Sequence, residues 1–452
     1  MSVRYLAIAA FCAALVFGQV QAQQNWPQWR GPAQNGISNA TDLPVTWSES
    51  ENIVWKTALP AWSGSTPIIW ENRIFLTSPS AQNPDEQAPP PPPGGRRSRY
   101  GQARSPGGKD LYLLSLSRQT GEILWQQRLD TGNRLHRKGN SASPSPVTDG
   151  QHVWTVTGTG QVTALDFSGK ILWQRNLQDD YGQFGLNWGY ASSPLLHDGK
   201  LIVQVLHGMH TDDPSYIVAF DAQTGAELWK QERPTDAIME SPDAYTTPVL
   251  LHHQGEKHIV ITGGDYVTGH DPANGKELWR AGGLNPDNSR NYRIVASPIA
   301  FDGLIYAPTR NKPLLVLKAG GSGMLGSDYL QWKWTGAGSP DVPTPACDGK
   351  LFYMVDDRGL VTALDAKSGD VVWGPQRTAQ GIVSASPLVA DGKIYITNEQ
   401  AETTVLVAGN EYRQLATNTL DGSYTLSSPV AVGSNLFIRT SKFLYCIGER
   451  PE

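Results

Sequence analysis

One phrase recurs along the chain and constrains its fold more than any other feature. In residues 361–373 it reads VTALDAKSGDVVW, an apolar run ending in Ala-Leu-Asp, a Lys-Ser-Gly turn and a second β-prone run closed by tryptophan. Alternating Val, Thr and Leu suit a half-buried strand, and Ser-Gly supplies the backbone freedom of a tight turn. Similar hairpins end at Trp125, Trp173, Trp229 and Trp279. Internal repetition of this kind indicates a repeat architecture.

A second phrase opens each repeat and consists of Ser or Thr, then Pro, then two short β runs joined by a turn. It occurs eight times, and its prolines are Pro67, Pro146, Pro194, Pro248, Pro298, Pro345, Pro387 and Pro429. By subtraction, the first interval is 79 residues and the others are 42 to 54, the size of a four-stranded propeller blade. The sequence therefore predicts an all-β, eight-bladed β-propeller of four-stranded antiparallel blades, with almost no helix.

The two ends of the chain are predicted to meet in the last blade. The eighth repeat lacks a Trp-ended strand, whereas residues 53–56, Ile-Val-Trp-Lys, precede the first opening. If this N-terminal strand completes the last blade, the ring closes without a free sheet edge. We therefore expect a single propeller over residues 44–448, preceded by an N-terminal extension over residues 23–43.

The long first repeat contains an insertion over residues 79–109. It holds five consecutive prolines followed by a Gly-rich run with several arginines. Such a composition cannot continue a sheet and is typical of a solvated, disordered segment. We expect it between the second and third strands of the first blade, either as a plain loop or as a tether for an acidic partner.

The first residues have the pattern of an export signal. Arg4 gives a positive start, residues 6–17 are apolar, and Val20-Gln21-Ala22 is a small-residue cleavage pattern. This predicts a signal peptide over residues 1–22, export to the periplasm or the extracellular space, and no transmembrane span after cleavage. The cysteines that remain, Cys347 and Cys446, fall in different repeats and are expected as buried thiols rather than a disulfide.

Charge and motifs exclude several classes of function. With 37 Lys and Arg against 42 Asp and Glu, the net charge is −5 and the pI is about 6.0, so nucleic acid is not an expected partner. The sequence has no metal-spaced His/Cys cluster, nucleophile elbow or phosphate-binding glycine loop. No catalytic residue and no metal ligand is predicted, and we expect a monomer.

The repeated tryptophans are interpreted as architecture. A large flat side chain at one place in each blade would fill the gap between neighbouring sheets. The tryptophans assigned to this structural role are Trp55, Trp125, Trp173, Trp229, Trp279, Trp334 and Trp373. The repeated aspartates before each turn glycine are likewise expected to be turn carboxylates.

The two phrases together resemble the pyrroloquinoline-quinone (PQQ) repeat, the tryptophan-docking propeller unit, over nearly the whole mature chain. The chain looks most like the exported PQQ-like repeat proteins of bacteria, whose mature N-terminus often begins as residues 25–32 do, NWPQWRGP. The resemblance implies eight blades. The superfamily includes quinoprotein alcohol and sugar dehydrogenases and also the outer-membrane assembly factor BamB, a scaffold that binds no quinone.

The expected function depends on which branch of this superfamily the chain resembles. Quinoprotein dehydrogenases resemble one another in adjacent cysteines, a Ca2+ site of Glu, Asn and Asp, and a Trp under the quinone. This chain has no Cys-Cys pair, and the Ca2+ ligands and the Trp cannot be placed on its sequence. The leading hypothesis is a non-catalytic binding or scaffold protein with cell-envelope partners and no cofactor. The alternatives are a PQQ- and Ca-dependent oxidoreductase acting on alcohols or sugars, and a carbohydrate-binding propeller.

A ligand site is expected where the loops that enter the innermost strands converge at one mouth of the channel. Aromatic faces beside Asn, Asp and Arg suit a planar or sugar-like ligand, although many propellers carry a polar rim without one. His136 is interpreted either as a base or ligand orienter or as a residue in a loop hydrogen bond. The mouth residues so predicted are Trp62, His136, Asn140, Trp188, Tyr190, Asp243, Tyr245, Tyr292, Arg293, Arg310, Lys312, Asp341, Gln380, Asn398, Glu399 and Tyr424.

Overall fold

The computed structural model describes residues 25–82, 105–310 and 313–449. Eight sheets of four or five strands form the blades of a propeller, which confirms the predicted fold. The predicted signal peptide, residues 83–104 of the insertion and Lys312 lie outside the described residues.

The strands follow one another blade by blade. The N-terminal region supplies β1 (Ile37–Ser38) and β2 (Ile53–Ala58). Blade 1 contains β3 (Ile68–Trp70), β4 (Arg73–Pro79), β5 (Asp110–Ser117) and β6 (Ile123–Thr131). A small hairpin follows, made of β7 (Leu135–His136) and β8 (Gly139–Asn140). Blade 2 contains β9 (Val147–Thr148), β10 (His152–Val156), β11 (Gln161–Asp166) and β12 (Ile171–Asn176).

The middle of the chain forms three further blades. Blade 3 contains β13 (Leu195–His197), β14 (Lys200–Val205), β15 (Tyr216–Asp221) and β16 (Glu227–Glu232). Blade 4 contains β17 (Val249–His253), β18 (Glu256–Gly263), β19 (Tyr266–His270) and β20 (Glu277–Ala281). Blade 5 contains β21 (Ile299–Phe301), β22 (Leu304–Ala307), β23 (Leu314–Lys318) and β25 (Leu330–Trp334), while β24 (Gly323–Met324) pairs in parallel with β20 of blade 4.

The last three blades complete the ring. Blade 6 contains β26 (Ala346–Cys347), β27 (Leu351–Val355), β28 (Leu360–Asp365) and β29 (Val371–Arg377). Blade 7 contains β30 (Leu388–Ala390), β31 (Lys393–Thr397), β32 (Glu402–Val407) and β33 (Gln414–Thr419). Blade 8 contains β34 (Val430–Val432), β35 (Asn435–Arg439) and β36 (Phe443–Ile447).

Helix is nearly absent from the described chain, as predicted. The helix α1 (Leu177–Tyr181) follows blade 2, and its first N–H groups are capped by the side chain of Asn176. A single 3-10 turn spans Ser327–Tyr329. Both lie in connections between strands, so they do not alter the propeller.

Both ends of the chain close the ring in blade 8. The strand β2 pairs antiparallel with β36, with Lys56 opposite Tyr445, and this confirms the predicted closure. The first-blade insertion lies between β4 and β5, as predicted. Pro79, the first residue of the predicted insertion, still pairs with Leu111 inside the sheet.

Five of the predicted tryptophans, together with Trp332, join neighbouring blades through the same kind of hydrogen bond. Each indole N–H donates to a backbone carbonyl in the next blade at 2.8–3.3 Å: Trp55 to Arg118, Trp125 to Phe167, Trp173 to Ala222, Trp229 to Pro272, Trp332 to Ala366 and Trp373 to Gly409. The turn glycine of the next blade lies against most of these rings. A Cβ at Gly169, for example, would lie 2.9 Å from the ring of Trp125. The repeated glycine thus allows both the turn and the close approach of the indole.

Two tryptophans differ from this prediction. In blade 5 the docking residue is Trp332, not Trp334, because Trp332 pairs with Val316 at the strand bulge and donates to the next blade. Trp334 donates only to Ala337 in its own loop. Trp279 is fully buried, but its indole donates to His258 of the same blade, so it packs within blade 4.

The Ser or Thr of each opening phrase forms a second set of contacts around the channel. The backbone N–H of each of these residues donates to the side-chain hydroxyl of its counterpart in the next blade at 2.8–3.2 Å. We call this closed ring the hydroxyl belt; its members are Thr66, Ser145, Ser193, Thr247, Ser297, Thr344, Ser386 and Ser428. It fixes all eight innermost strands at a common height.

Candidate functional site at the channel mouth

The N-terminal segment, residues 25–43, runs through the channel instead of extending away from the propeller. Trp26 forms a bridge with Ile69 of blade 1, and the carbonyl of Pro27 accepts from Thr148 of blade 2. Further along, β1 pairs in parallel with β30 of blade 7. The side chain of Gln34 also accepts from the backbone N–H of Leu250 in blade 4, so the segment contacts inner strands on opposite sides of the ring and fills one end of the channel.

Arg30 fixes the middle of this segment. Its side chain is 2% exposed and donates to the carbonyls of Pro345 and Pro387, both at 2.7 Å. Burial lowers the pKa of Arg30 to about 9, so the group is still a cation at neutral pH. No carboxylate within the described residues lies at ion-pair distance from it. Backbone carbonyls from two blades thus hold a buried positive charge across the channel.

A cavity of about 210 Å3 lies at the other end of the channel, and we call it the mouth cavity. Trp29, the neighbour of Arg30, lines it, as do all eight members of the hydroxyl belt. Loop residues complete the lining: His136, Lys138, Trp188, Tyr245, Arg293, Asp341, Asp357 and Ser384, with the apolar Val295, Val342 and Leu426. The cavity thus combines an aromatic group, a ring of hydroxyls, and charged groups of both signs.

Three carboxylates around the mouth are already engaged by cations or by an indole N–H. Asp341 accepts from Arg293 at 3.1 Å, and Glu399 lies 2.8 Å from the ammonium of Lys138. Glu240 accepts from the indole N–H of Trp188 at 2.8 Å. Paired in this way, these groups hold the loops together, and their charges largely cancel across the mouth.

Two other carboxyls at the mouth are weaker acids than usual. Burial raises the pKa of Asp243 to about 6, against the effect of backbone N–H groups from Asn187 and Met209. Burial and then the charge of Asp341 raise the pKa of Asp357 to about 6 as well. Burial also lowers the pKa of His136, so this ring is neutral at pH 7.

The hairpin of β7 and β8, residues 135–140, reaches over the mouth cavity from the blade 1 side. At its tip, Lys138 contacts Ser384 at 2.7 Å as well as Glu399, and both partners belong to blade 7. The neighbouring Arg137 lies 4.6 Å from the ring centroid of Trp188. We call this element the roof hairpin, since its two tip residues tie it to opposite parts of the mouth.

Among the predicted mouth residues, some line the cavity. They are His136, Trp188, Tyr245, Arg293 and Asp341. Trp188 is covered on its ring by two guanidinium groups, since Arg293 lies 4.9 Å from its centroid in addition to Arg137. The hydroxyl of Tyr245 accepts from the backbone N–H of Trp188.

The other predicted aromatic residues lie near the mouth but do not line the cavity. Tyr190 is buried and donates to the carbonyl of Gln204, and Tyr292 is fully buried. Trp62 donates to the carbonyl of Ser105, and Tyr424 donates to the backbone of Lys138 in the roof hairpin. These side chains support the loops from within.

The predicted amide and charged residues outside the lining are also occupied in loop contacts. Asn140 donates to Trp62, and Asn398 donates to the carbonyl of Gln380. Arg310 donates to the carbonyl of Asn291. Glu399 pairs with Lys138, as described above. The hydrogen bonds and the ion pair of these side chains therefore hold the loops in position.

Sequence reasoning missed Trp29, Lys138, Asp357 and Ser384. Trp29 lies before the first repeat, so the repeat pattern gave it no position in the ring. Lys138 and Ser384 lie in the same short loops as the predicted His136 and Gln380. Residue type alone does not show which side chains of such a loop are exposed or which way they point. The Ser and Thr residues of the opening phrases predict the blade boundaries, and all eight also line the cavity.

PQQ with Ca2+ is the group that the superfamily implies, and the mouth does not fit it. Within the ranges that the structure describes, no cluster of three or more His, Cys, Asp or Glu could hold a metal ion. Two of the mouth carboxylates, Asp341 and Glu399, are paired with Arg293 and Lys138 instead. The cavity is also smaller than the roughly 300–1,000 Å3 of pockets for drug-sized ligands.

Comparison with known proteins assigns the chain to a family. The family model described as outer membrane protein assembly factor BamB matches residues 109–375 and 341–449, more than half of the chain. The chain belongs to this family of propellers. BamB from Yersinia pestis is 23% identical over 336 residues, which cover 72% of this chain and 76% of that protein.

Solved structures agree on the fold. BamB from Moraxella catarrhalis matches with a TM-score of 0.59 at 13% identity, over 87% of this chain and 99% of that one. The quinohemoprotein alcohol dehydrogenase of Comamonas testosteroni matches with a TM-score of 0.66 at 12% identity, over 95% and 82%. Both branches therefore share this architecture, and fold alone does not separate them. No helix among the described elements is long and apolar enough to cross a membrane.

Proposed function

We propose that this protein is an exported, non-catalytic propeller that binds a protein partner in the cell envelope through loops at the channel mouth. Membership of the assembly-factor family and similarity to BamB over most of both chains support a binding role. The pairing of Asp341 and Glu399 with cations supports it over the oxidoreductase alternative, because a Ca2+ ion bound to either carboxylate would have to displace that partner.

The observation that carries the proposal is an ordered loop that exposes two adjacent apolar side chains. Ile238 and Met239 are 38% and 48% exposed in the loop that enters blade 4. The loop is held by backbone hydrogen bonds from Ser241 to Ile238 and from Glu240 to Arg290. Met239 has a φ of 60°, an uncommon conformation for a non-glycine residue. An ordered loop with exposed apolar side chains is typical of a protein-binding surface.

Charges next to this loop complete the proposed contact surface. Glu240 and Arg293 lie beside one another at the inner side of the loop, 4.0 Å apart. Ile382, 36% exposed, stands on the loop that enters blade 7 of the same mouth. Apolar anchors with a polar surround match the usual division of an interface into core and rim.

Site-specific photo-cross-linking in the native envelope tests the proposal. A photoreactive amino acid at Met239 should give a discrete, reproducible cross-linked product of higher mass. The matched control is Leu228, equally exposed at 48% but located on the outer strand of blade 3. Product at Met239 and none at Leu228 is the expected result. Equal labelling at both positions, or none at either, contradicts a partner site at the mouth.

A further inference from the structure

The hydroxyl belt leaves a set of hydrogen-bond donors facing the mouth cavity. Each belt oxygen accepts one backbone N–H from the preceding blade. A Ser or Thr hydroxyl has one further proton to donate, and none of the eight donates to another residue that the structure describes. All eight line the cavity. The wall therefore presents a circle of O–H donors to whatever occupies it.

Trp29 gives the cavity a partly exposed aromatic side chain. The rings of the docking tryptophans lie between blades, and Trp188 has two guanidinium groups over its ring. Within the described chain, Trp29 has neither an aromatic nor a cationic partner, and its indole N–H donates to no residue. The next residue, Arg30, joins this part of the segment to blades 6 and 7 through two hydrogen bonds. An indole at the cavity wall without an aromatic or cationic partner is suited to stacking on a ligand.

The charges that line the cavity balance. Asp341 and Asp357 bring acceptor oxygens, whereas Lys138 and Arg293 bring donors. Asp341 and Arg293 already form an ion pair. A ligand with a net charge would meet one of these groups without compensation, but a neutral ligand with both donors and acceptors would satisfy both kinds.

We propose that the mouth cavity binds a single neutral polyhydroxylated ring, the size of one monosaccharide. The proposal rests on the hydroxyl belt in the cavity wall, the indole of Trp29, the balance of charged side chains and the cavity volume of about 210 Å3. Each hydroxyl of such a ring accepts from the belt and donates to Asp341 or Asp357, while its C–H face stacks on Trp29. This site is separate from the exposed loop around Met239.

Saturation-transfer NMR on the full mature chain tests the site, with glucose as the probe. A ligand of this size is expected to bind with a dissociation constant on the order of 1 mM. Gluconate and glucosamine, which resemble glucose but carry a negative and a positive charge, serve as charge-matched comparisons. Transfer to glucose that exceeds transfer to both charged analogues is expected. No transfer to glucose, galactose or inositol, or a preference for either charged analogue, overturns the proposal.

Variants of Trp29 locate the binding. Trp29→Ala should weaken glucose binding at least tenfold, whereas Trp29→Phe, which keeps an aromatic face, should stay within about threefold of the native affinity. Trp334→Ala, a tryptophan outside the cavity, is the control and should bind as the native chain does. Thermal unfolding confirms that each variant is folded. Unchanged binding in folded Trp29→Ala contradicts the assignment, and because Met239 is untouched, the cross-linking result is not affected.

Discussion

The wall of the propeller and the segment inside it are built on opposite principles. In the wall, one contact is made again and again: a hydroxyl of the belt in every blade and a docking indole in most of them. The N-terminal segment instead makes each contact once: Arg30 donates to two carbonyls, and Gln34 accepts from the backbone N–H of Leu250. The repeated contacts determine the shape of the ring. The single contacts determine which side chains fill and line its channel.

This difference explains where similarity to other proteins is informative. A dehydrogenase and an assembly factor share the wall with this chain at 12–13% identity. The wall needs only an apolar pattern, a turn glycine and an indole, and many sequences supply them. Function is therefore decided by residues that the repeat does not contain.

The largest expected effect is on the free energy of unfolding and tests the docking tryptophan of blade 5. Trp332→Ala removes a buried indole and its hydrogen bond to blade 6, and should lower the free energy of unfolding by about 4 kcal/mol. Trp334→Ala, two residues along the same strand and only partly buried, should cost about 1 kcal/mol. Denaturant midpoints measure both. Equal losses would mean that the docking position in blade 5 is wrongly assigned.

The next effect tests the segment inside the channel. Arg30→Ala leaves the carbonyls of Pro345 and Pro387 without their charged donor, and should destabilise the protein by about 3 kcal/mol. Arg413→Ala is the control, because that side chain is exposed and should change stability by less than about 0.5 kcal/mol. If both variants unfold at the same urea concentration, the segment does not support the ring.

A smaller effect is expected for one member of the hydroxyl belt. Ser193→Ala removes the acceptor of the Ser145 N–H and should cost about 1 kcal/mol, since the neighbouring contacts of the belt remain. Ser50→Ala, at an exposed site, should be neutral. A loss of 3 kcal/mol or more for the belt variant would show that the ring acts as one cooperative unit rather than as separate bonds.

The smallest effect is a pH dependence at the mouth. The folded pKa of Asp357 is about 6, above its value of about 4 in the unfolded chain, so the folded state holds this proton more tightly. The contribution of this group is fully present below pH 4 and is lost as the pH rises through 6. Asp357→Asn should reduce the fall in the denaturation midpoint between pH 4 and 7. Asp212→Asn, an exposed control, should leave that fall unchanged; a fall equally large in both variants contradicts the assignment.

The ring could be predicted from the sequence because its contacts repeat. Eight Ser/Thr-Pro openings give the blade number, and Trp55 before the first opening gives the closure. The same logic misplaced the docking residue of blade 5, where Trp332 and Trp334 lie on the same face of one strand. A bulge beside Val316 decides between them, and a bulge is not readable from composition.

The mouth could be predicted only in part. Trp188, Tyr245 and Arg293, predicted from loop position, line the cavity. Burial of Tyr292 depends on how neighbouring loops pack, which residue type does not reveal. Trp29 was missed for a different reason, because nothing local in NWPQWRGP indicates that the segment folds back through a channel formed by residues hundreds of positions later.

Titration of the purified mature chain with PQQ and Ca2+ tests the central claim most directly, namely that this mouth is a binding site without a quinone. Absorbance and dye-linked oxidation of alcohols and sugars are recorded together. We predict no saturable spectral change and no turnover, because Asp341 and Glu399 are engaged by Arg293 and Lys138 and no cluster of three metal-binding side chains lies within the described residues. Stoichiometric PQQ binding with Ca2+-dependent turnover would contradict the account.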